Sequence, residues 1–426
     1  MRYVVHPSQL HGAITVPSSK SHTLRAILFA SIAKGTSEID SYLESTDQIT
    51  MIMACRQLGA KIIKDGKKLI ITGIAGQFKT LDNVVDAGNS GIVLRFIGAL
   101  CGLMDGYTVI TGDESIRHRR PAQPLIDGIN QLGGKAVSTK NDGKAPLIIK
   151  GKMRSGLCRI DGQDSQPVSG LLIASTLLEG STTIHVQNPG ETPWVDMTLQ
   201  WLRRFGAQVD CENYSKYVIQ GNIQYNCFNT IVPGAFCSAS FPLVAAVITG
   251  SELTLNNLDV HDCQGDKKII DLLQAMGSNI EIDSKNKRVH VLKGPGLKGI
   301  KIDINECIDA LPILAVLGCC AEGETQLING TIARSKESDR IHSMALMLKK
   351  MGAHIVENFD GLTIKPSKLK GAVVESFKDH RIALALSVAG LVAEGETVIE
   401  GVECVDKTYP QFADEMRQQG ANLWSQ

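Results

Sequence analysis

Arg334-Ser335-Lys336-Glu337-Ser338-Asp339-Arg340 sets five charges in seven residues, and these residue types can hold an anion and move a proton. Apolar side chains follow at Ile341, Met344, Leu348 and Met351, a period of about 3.6 residues that predicts a helix. A helix start exposes unpaired N–H groups and the positive end of the backbone dipole. Lys336 and Arg340, one turn apart on this approach, add two cations where an anion is already favoured, with Glu337 placed to exchange a proton beside them. A well-solvated helix entrance has the same appearance, because charge runs at helix starts are common.

Similar polar clusters stand elsewhere, each ahead of a stretch of small apolar residues. Pro17-Ser18-Ser19-Lys20-Ser21-His22-Thr23-Leu24-Arg25 enters a predicted helix through Ile27, Leu28 and Ile32, with Ser21 and Arg25 on one face. Asp86-Ala87-Gly88-Asn89-Ser90-Gly91, followed by Arg95, has glycines that admit close backbone approach and N–H groups suited to a carboxylate or phosphate. Asp164-Ser165-Gln166, Ser238-Ala239-Ser240, Asp309 and Asp379-His380-Arg381 hold corresponding places, and Arg117-His118-Arg119-Arg120-Pro121 is a basic run. Taken singly, each reads as a solvated edge, a helix cap or a structural histidine. The recurrence of polarity at the same joint is what that reading leaves unexplained. Helices starting at a common end of each domain would aim these joints at one cleft, a pocket for a small substrate with several negative charges.

The elements that must position them repeat along the chain. An apolar helix end, a glycine and then a strand recur at Gly59, Gly133, Gly206, Gly277, Gly352 and Gly420, about 70 residues apart. A second phrase with the same period places glycines after small-residue helices at Gly35, Gly106, Gly180, Gly250, Gly323 and Gly395. Each falls where a helix end needs a left-handed residue before the chain turns into a strand. Six copies of a unit with two helices and several strands therefore account for nearly the whole chain. Such a unit cannot bury its helices alone, so three copies per domain, with helices inside sheets, form two pseudo-threefold α/β domains. Pro and Gly interrupt the pattern near Ile231-Val232-Pro233-Gly234, where the main crossing between domains is expected.

The totals set the class. A chain of 426 residues exceeds one ordinary core, and two domains of roughly 200 residues are the natural expectation. Lys plus Arg equals Asp plus Glu at 44 each, so no global field draws the chain to nucleic acid or lipid, and any anion site is local. No signal peptide begins at Met1-Arg2-Tyr3 and no apolar run has membrane-spanning length, which points to a cytoplasmic enzyme. The eleven cysteines are odd in number and lack any C-x-x-C pair; Cys55, Cys101, Cys319 and Cys320 lie in apolar runs and read as buried thiols in a reducing compartment. The histidines have no metal-ligand spacing, so no metal is expected.

Taken together, Pro17 through Ser21 with Arg25, Ala87 through Gly91 with Arg95, Arg119-Arg120-Pro121, Ser165-Gln166, Asp309, Arg334 through Arg340, Asp379-His380-Arg381 and Asp406-Lys407-Thr408 resemble the motifs of the 5-enolpyruvylshikimate-3-phosphate synthases, of the enolpyruvyl transferase family. The match runs in order from end to end, and Lys-Glu-Ser-Asp-Arg with Asp-His-Arg is specific in combination. The resemblance implies two inverse α/β barrel domains, 1–17 with 233–426 and 18–232, joined by two crossovers around an active-site cleft that closes on substrate. It implies enolpyruvyl transfer from phosphoenolpyruvate to the 5-hydroxyl of shikimate 3-phosphate in chorismate and aromatic amino acid biosynthesis. No cofactor, nucleic acid or membrane partner is expected, and the expected state is a monomer.

Carried over position by position, Lys20, Asn89, Gly91, Arg120, Gln166, Arg340, Arg381 and Lys407 would meet phosphoenolpyruvate, whose carboxylate and phosphate call for paired cations. Ser21, Arg25, Ser165, Gln166, Asp309 and Lys336 would hold shikimate 3-phosphate. Lys20, Asp309 and Glu337 are the candidates for the acid and base, which exchange roles between addition and elimination. Asp164, Trp194 and His380 are further candidates.

The sequence departs from the family pattern at several points. Leu24 stands for the usual Asn, Trp194 for a Tyr, Glu191 near a usual Ser, Ile332 near a usual Asn, and Asp164-Ser165-Gln166 where two serines commonly precede Gln. An acid near a phosphate is repulsive, so Asp164 and Glu191 call for another account. Ile92 and Phe96 replace the usual Thr and Pro, and their bulk is expected to shift Gly91 and weaken inhibition by glyphosate. The sister enzymes acting on UDP-N-acetylglucosamine normally have Lys-Asn where Lys20-Ser21 stands and a Cys in the loop occupied here by Asp113 through Arg117. A non-catalytic sensor of a phosphorylated metabolite is the alternative of another class.

Overall fold

The computed structural model describes residues 1–426, and the chain separates into two compact units: Met1–Pro17 with Pro233–Gln426, and Ser18–Val232. Both are built from small four-stranded sheets, three in each, and all six have one layout. An outer strand runs parallel to the second, and the remaining strands continue antiparallel. In the unit Ser18–Val232 one such sheet takes Asn229–Ile231 parallel to Thr36–Asp40, then Lys68–Thr72 and Lys61–Asp65 antiparallel. In the other unit, Val373–Glu375 pairs parallel with Thr397–Glu400, which pairs antiparallel with Arg2–His6, itself flanked by Asn422–Ser425. The fold class is the mixed α/β arrangement expected from the sequence.

The helices, in chain order, are α1 (Lys20–Ile32), α2 (Thr46–Gln57), a π-helical turn Val93–Ile97 that runs into α3 (Gly98–Cys101), α4 (Glu114–His118), α5 (Gln123–Gln131), α6 (Ser165–Ser175), α7 (Thr192–Arg204), α8 (Phe236–Thr249), α9 (Lys268–Ala275), α10 (Leu311–Cys319), α11 (Arg340–Lys350), α12 (His380–Gly390) and α13 (Phe412–Gln418). They are of two kinds. α1, the 93–101 segment and α6 in one unit, and α8, α10 and α12 in the other, bury nearly every side chain. α5, α7, α9 and α11 bury one face only, as apolar residues spaced three and four apart dictate. On α11 that face is Ile341, Met344 and Leu348, all fully buried. No helix is long and apolar enough to cross a membrane.

Two details differ from the sequence reading. Ser238-Ala239-Ser240 lies inside α8, not ahead of it, and Pro242 is inside the same helix. Lys336 is extended, with φ −84° and ψ −151°, because α11 starts only at Arg340 under an Asp339 cap. Lys336 and Glu337 therefore belong to the connection before the helix, not to its first turn.

Candidate active site

In the unit formed by Met1–Pro17 and Pro233–Gln426, three helix starts bring charges together. The buried carboxylate of Asp379 caps α12 by accepting the Arg381 N–H at 3.0 Å. It also accepts from Arg340 Nε at 2.8 Å and from Ser338 Oγ at 3.0 Å, which fixes the first residue of α11 against the start of α12. Arg340 spends its other nitrogens on Asp309 Oδ1 at 2.7 Å and Glu337 Oε2 at 2.9 Å. Arg381 Nη2 reaches the second oxygen of Asp309 at 2.7 Å, and Lys407 Nζ reaches the second oxygen of Glu337 at 2.8 Å. The result is a continuous chain of charges, Lys407–Glu337–Arg340–Asp309–Arg381, over an Asp379 base.

Electrostatics favour the charged forms of Asp309, Arg340 and Arg381. Burial pushes the Asp309 carboxyl up, but the charges of Arg381, Arg340 and Lys336 outweigh this and hold it below the usual carboxylate range. Burial opposes the charge of Arg340 as well, yet Asp379, Glu337 and Asp309 raise its pKa above that of an ordinary arginine. Arg381 is raised in the same way, chiefly by Asp309. Each acid thus lies between two cations, Asp309 between Arg340 and Arg381 and Glu337 between Arg340 and Lys407. His380, fully buried, has Nδ1 3.7 Å from Asp379 Oδ1. Arg334 bonds Asp339, Glu357 and the Asn358 and Phe359 carbonyls, tying the loop to a hairpin.

The unit Ser18–Val232 gathers the other predicted residues. Lys20 starts α1 and pairs at 3.3 Å with Asp47 in the first turn of α2. Ser21 follows it, and its carbonyl accepts from Arg25 Nη1 at 3.2 Å. Arg25 is buried, donates to Thr198 Oγ1 at 3.1 and 2.8 Å and to the Trp194 carbonyl at 3.1 Å, and lies 5.1 Å from the Phe96 ring centre. It joins α1 to α7. Arg95 pairs with Asp164 at 3.1 Å and donates to Gln166 Oε1 at 3.3 Å and the Pro121 carbonyl at 2.6 Å.

The two acids that the family pattern lacks have partners here. Asp164 caps α6 through the Gln166 N–H at 3.0 Å while neutralising Arg95. Glu191, left-handed at φ +49° and buried, accepts from Ser165 N at 3.1 Å and Ser165 Oγ at 3.3 Å. Gly91 stands against the tips of Arg120, Arg95 and Gln166, so close that a Cβ there would meet them at 2.6, 2.6 and 2.7 Å. Asn89 Nδ2 donates to Asp113 Oδ2 at 2.6 Å and Ser115 Oγ at 2.9 Å, and Arg120 is buried.

One unit thus links Asp309, Glu337, Arg340, Arg381 and Lys407 in a single chain of ion pairs, and the other gathers Arg95, Arg120 and Gln166 around Gly91, with Lys20 and Arg25 held in contacts of their own. Sequence reasoning placed Asp379 in the Asp379-His380-Arg381 cluster without giving it a role, and did not single out Asp47, Asp113 or Thr198 as members. For Asp47 and Asp113 the signal was present: Ser45 caps α2 through Gln48 N and Asp113 caps α4 through Ile116 N, patterns readable as helix starts.

Comparison with known proteins gives a consistent answer. A family model described as EPSP synthase (3-phosphoshikimate 1-carboxyvinyltransferase) matches residues 4–416. The chain is 45% identical over 419 residues to a curated 3-phosphoshikimate 1-carboxyvinyltransferase of Acetivibrio thermocellus, covering 98% of each chain. It is 44% identical over 427 residues to that of Methanococcoides burtonii, covering 99% of each. Among solved structures, an EPSP synthase from Acinetobacter baumannii superposes with a TM-score of 0.84 at 30% identity over 100% of both chains.

Proposed function

The chain belongs to the EPSP synthase family, and from that membership we propose that it transfers the enolpyruvyl group of phosphoenolpyruvate to the 5-hydroxyl of shikimate 3-phosphate. The products are 5-enolpyruvylshikimate 3-phosphate and phosphate. The observation that carries the reading is the charge chain Lys407–Glu337–Arg340–Asp309–Arg381, in which cations suited to a carboxylate and a phosphate alternate with acids able to exchange protons.

In the addition step the 5-hydroxyl oxygen bonds to C2 of phosphoenolpyruvate as its proton leaves to a base and C3 takes a proton from an acid. In the elimination step the C2–O bond to phosphate breaks as the proton returns from C3. Lys20, Asp309 and Glu337 carry these protons, as acid and base exchange roles between the two steps. Lys20, Asn89, Gly91, Arg120, Gln166, Arg340, Arg381 and Lys407 bind phosphoenolpyruvate; Ser21, Arg25, Ser165, Gln166, Asp309 and Lys336 bind shikimate 3-phosphate. Trp194 and His380 support these contacts, and Asp164 acts through Arg95 and the α6 cap. The protein works as a monomer in the cytoplasm; its unpaired cysteines, including buried Cys55, Cys101 and Cys319, support the reducing compartment. Ile92 and Phe96, both buried, extend the reading to weak inhibition by glyphosate.

The test is phosphate release from phosphoenolpyruvate with and without shikimate 3-phosphate. Release that requires shikimate 3-phosphate, and is lost in Lys20→Met with the unfolding midpoint retained, is the expected result. Binding without turnover would identify a sensor, and wild-type turnover in Lys20→Met would remove Lys20 from the chemistry.

A further inference from the structure

Asp113 ties together the two segments that supply Asn89 and Arg120. Its backbone N–H donates to the Gly88 carbonyl at 2.8 Å, one residue before Asn89. Its Oδ2 accepts from Asn89 Nδ2 at 2.6 Å, and its Oδ1 accepts from Ser115 Oγ at 2.9 Å and Ile116 N at 3.0 Å. Ser115 completes the loop by accepting a second bond from Asn89 Nδ2 at 2.9 Å, while its carbonyl takes the N–H groups of Arg119 and Arg120 at 2.9 and 3.1 Å. Both Asn89 amide hydrogens are therefore directed at this pair, and the orientation of its amide follows from Asp113. Burial pushes the Asp113 carboxyl up, but bonds from Asn89, Ile116 and Ser115, with the charge of Arg120, leave it below the usual range, so it is a charged acceptor.

We propose that Asp113 is a positioning residue for phosphoenolpyruvate, holding the Gly88–Asn89 turn in place beside Gly91 and setting the α4 turn from which Arg120 reaches Gly91. The proposal rests on the functional reading above, which makes Asn89 and Arg120 contacts to that substrate. Asp113 itself touches no reacting atom. Its effect is specific to one of the two substrates, a pattern that a merely structural carboxylate would not produce.

Asp113→Ser separates the roles, because serine caps a helix about as well as aspartate but is too short and uncharged to hold Asn89. The expected result is a rise on the order of tenfold in KM for phosphoenolpyruvate, with KM for shikimate 3-phosphate within about twofold of wild type. The unfolding midpoint should stay within about 2 °C of wild type, since the cap survives. In a cycle with Asn89→Ala, the double variant should lose less than the product of the single losses, because both changes break one linkage. Unaltered KM values, a parallel rise in both, or strictly multiplicative losses would each overturn the proposal. A wild type that releases no phosphate removes the functional reading and this inference together, whereas an active wild type with unaffected variants removes the inference alone.

Discussion

Gly91 has no room for a side chain, although its backbone would accept one: it is absent from the glycines held at positive φ. A methyl there would meet the guanidinium tips of Arg120 and Arg95 and the Gln166 amide at 2.6 to 2.7 Å, so those groups must shift. Removing a glycine also lowers the entropy of the unfolded chain by about 0.4–1 kcal/mol. Gly91→Ala should therefore fold with a midpoint at or near wild type while KM for phosphoenolpyruvate rises by about tenfold or more; steady-state kinetics beside a thermal melt check both halves. Asp309 gives a prediction about pH. Its folded pKa lies below the unfolded value of about 3.9, so its contribution is present above that value and is lost as pH falls through the folded pKa. Asp309→Asn should cost about 3–5 kcal/mol at pH 7, because Arg340 and Arg381 each lose an anion. The gap between variant and wild-type melting points should close progressively below about pH 4; a gap that stays constant to pH 2 would show that the charge of Asp309 is not what stabilises the pair.

At the scale of elements, the twelve glycines that punctuate the sequence all have positive φ, from +63° at Gly250 to +114° at Gly59. They were legible because a left-handed residue between helix and strand is a local requirement with one cheap solution. Gly250 caps α8 at φ +63°, ψ +35°, with nothing within 4 Å of an added Cβ, so it isolates the backbone term. Gly250→Ala should cost about 1–2 kcal/mol and Gly250→Asn less, because asparagine tolerates this conformation; urea unfolding orders the pair, and equal costs would point to packing instead. Other elements were not legible, since distant contacts decide them. α8 runs through Ser238, Ser240 and Pro242, all poor helix formers, because burial of Phe236, Phe241, Leu243 and Val244 outweighs local preference. Arg25 and Lys20 were found by type and spacing, but their partners Thr198 and Asp47 lie on other helices, and a helical period says nothing of what faces it. The acids Asp164 and Glu191 looked repulsive in sequence for the same reason: Arg95 and Ser165, which take them up, are brought there only by the fold.

For the molecule as a whole, the unit Ser18–Val232 is one continuous stretch of chain, whereas the other is completed by the first seventeen residues. That segment is not peripheral to its unit. Arg2–His6 is an inner strand, paired to Thr397–Glu400 on one side and Asn422–Ser425 on the other, and it buries Tyr3, Val4 and Val5. Ala13–Thr15 adds the parallel edge strand beside Leu253–Asn256 and buries Ile14. A chain of 233–426 alone would leave two strands without an inner neighbour and open the apolar surface beneath them, a loss far larger than the few kcal/mol of net stability of an ordinary domain. Arg2 and Gln426 exchange both backbone hydrogen bonds at 2.9 Å, so the antiparallel strands they end can be joined as a hairpin by a short glycine-containing turn. The expected outcome is that 18–232 folds alone, 233–426 alone is unfolded or aggregates, and 233–426 joined through such a turn to 1–17 folds cooperatively. Circular dichroism and amide-dispersion spectra distinguish these. A native-like melt for 233–426 without its first strands would show that the sheet closes without Arg2–His6, and that the crossing at Pro17 is not what this unit depends on.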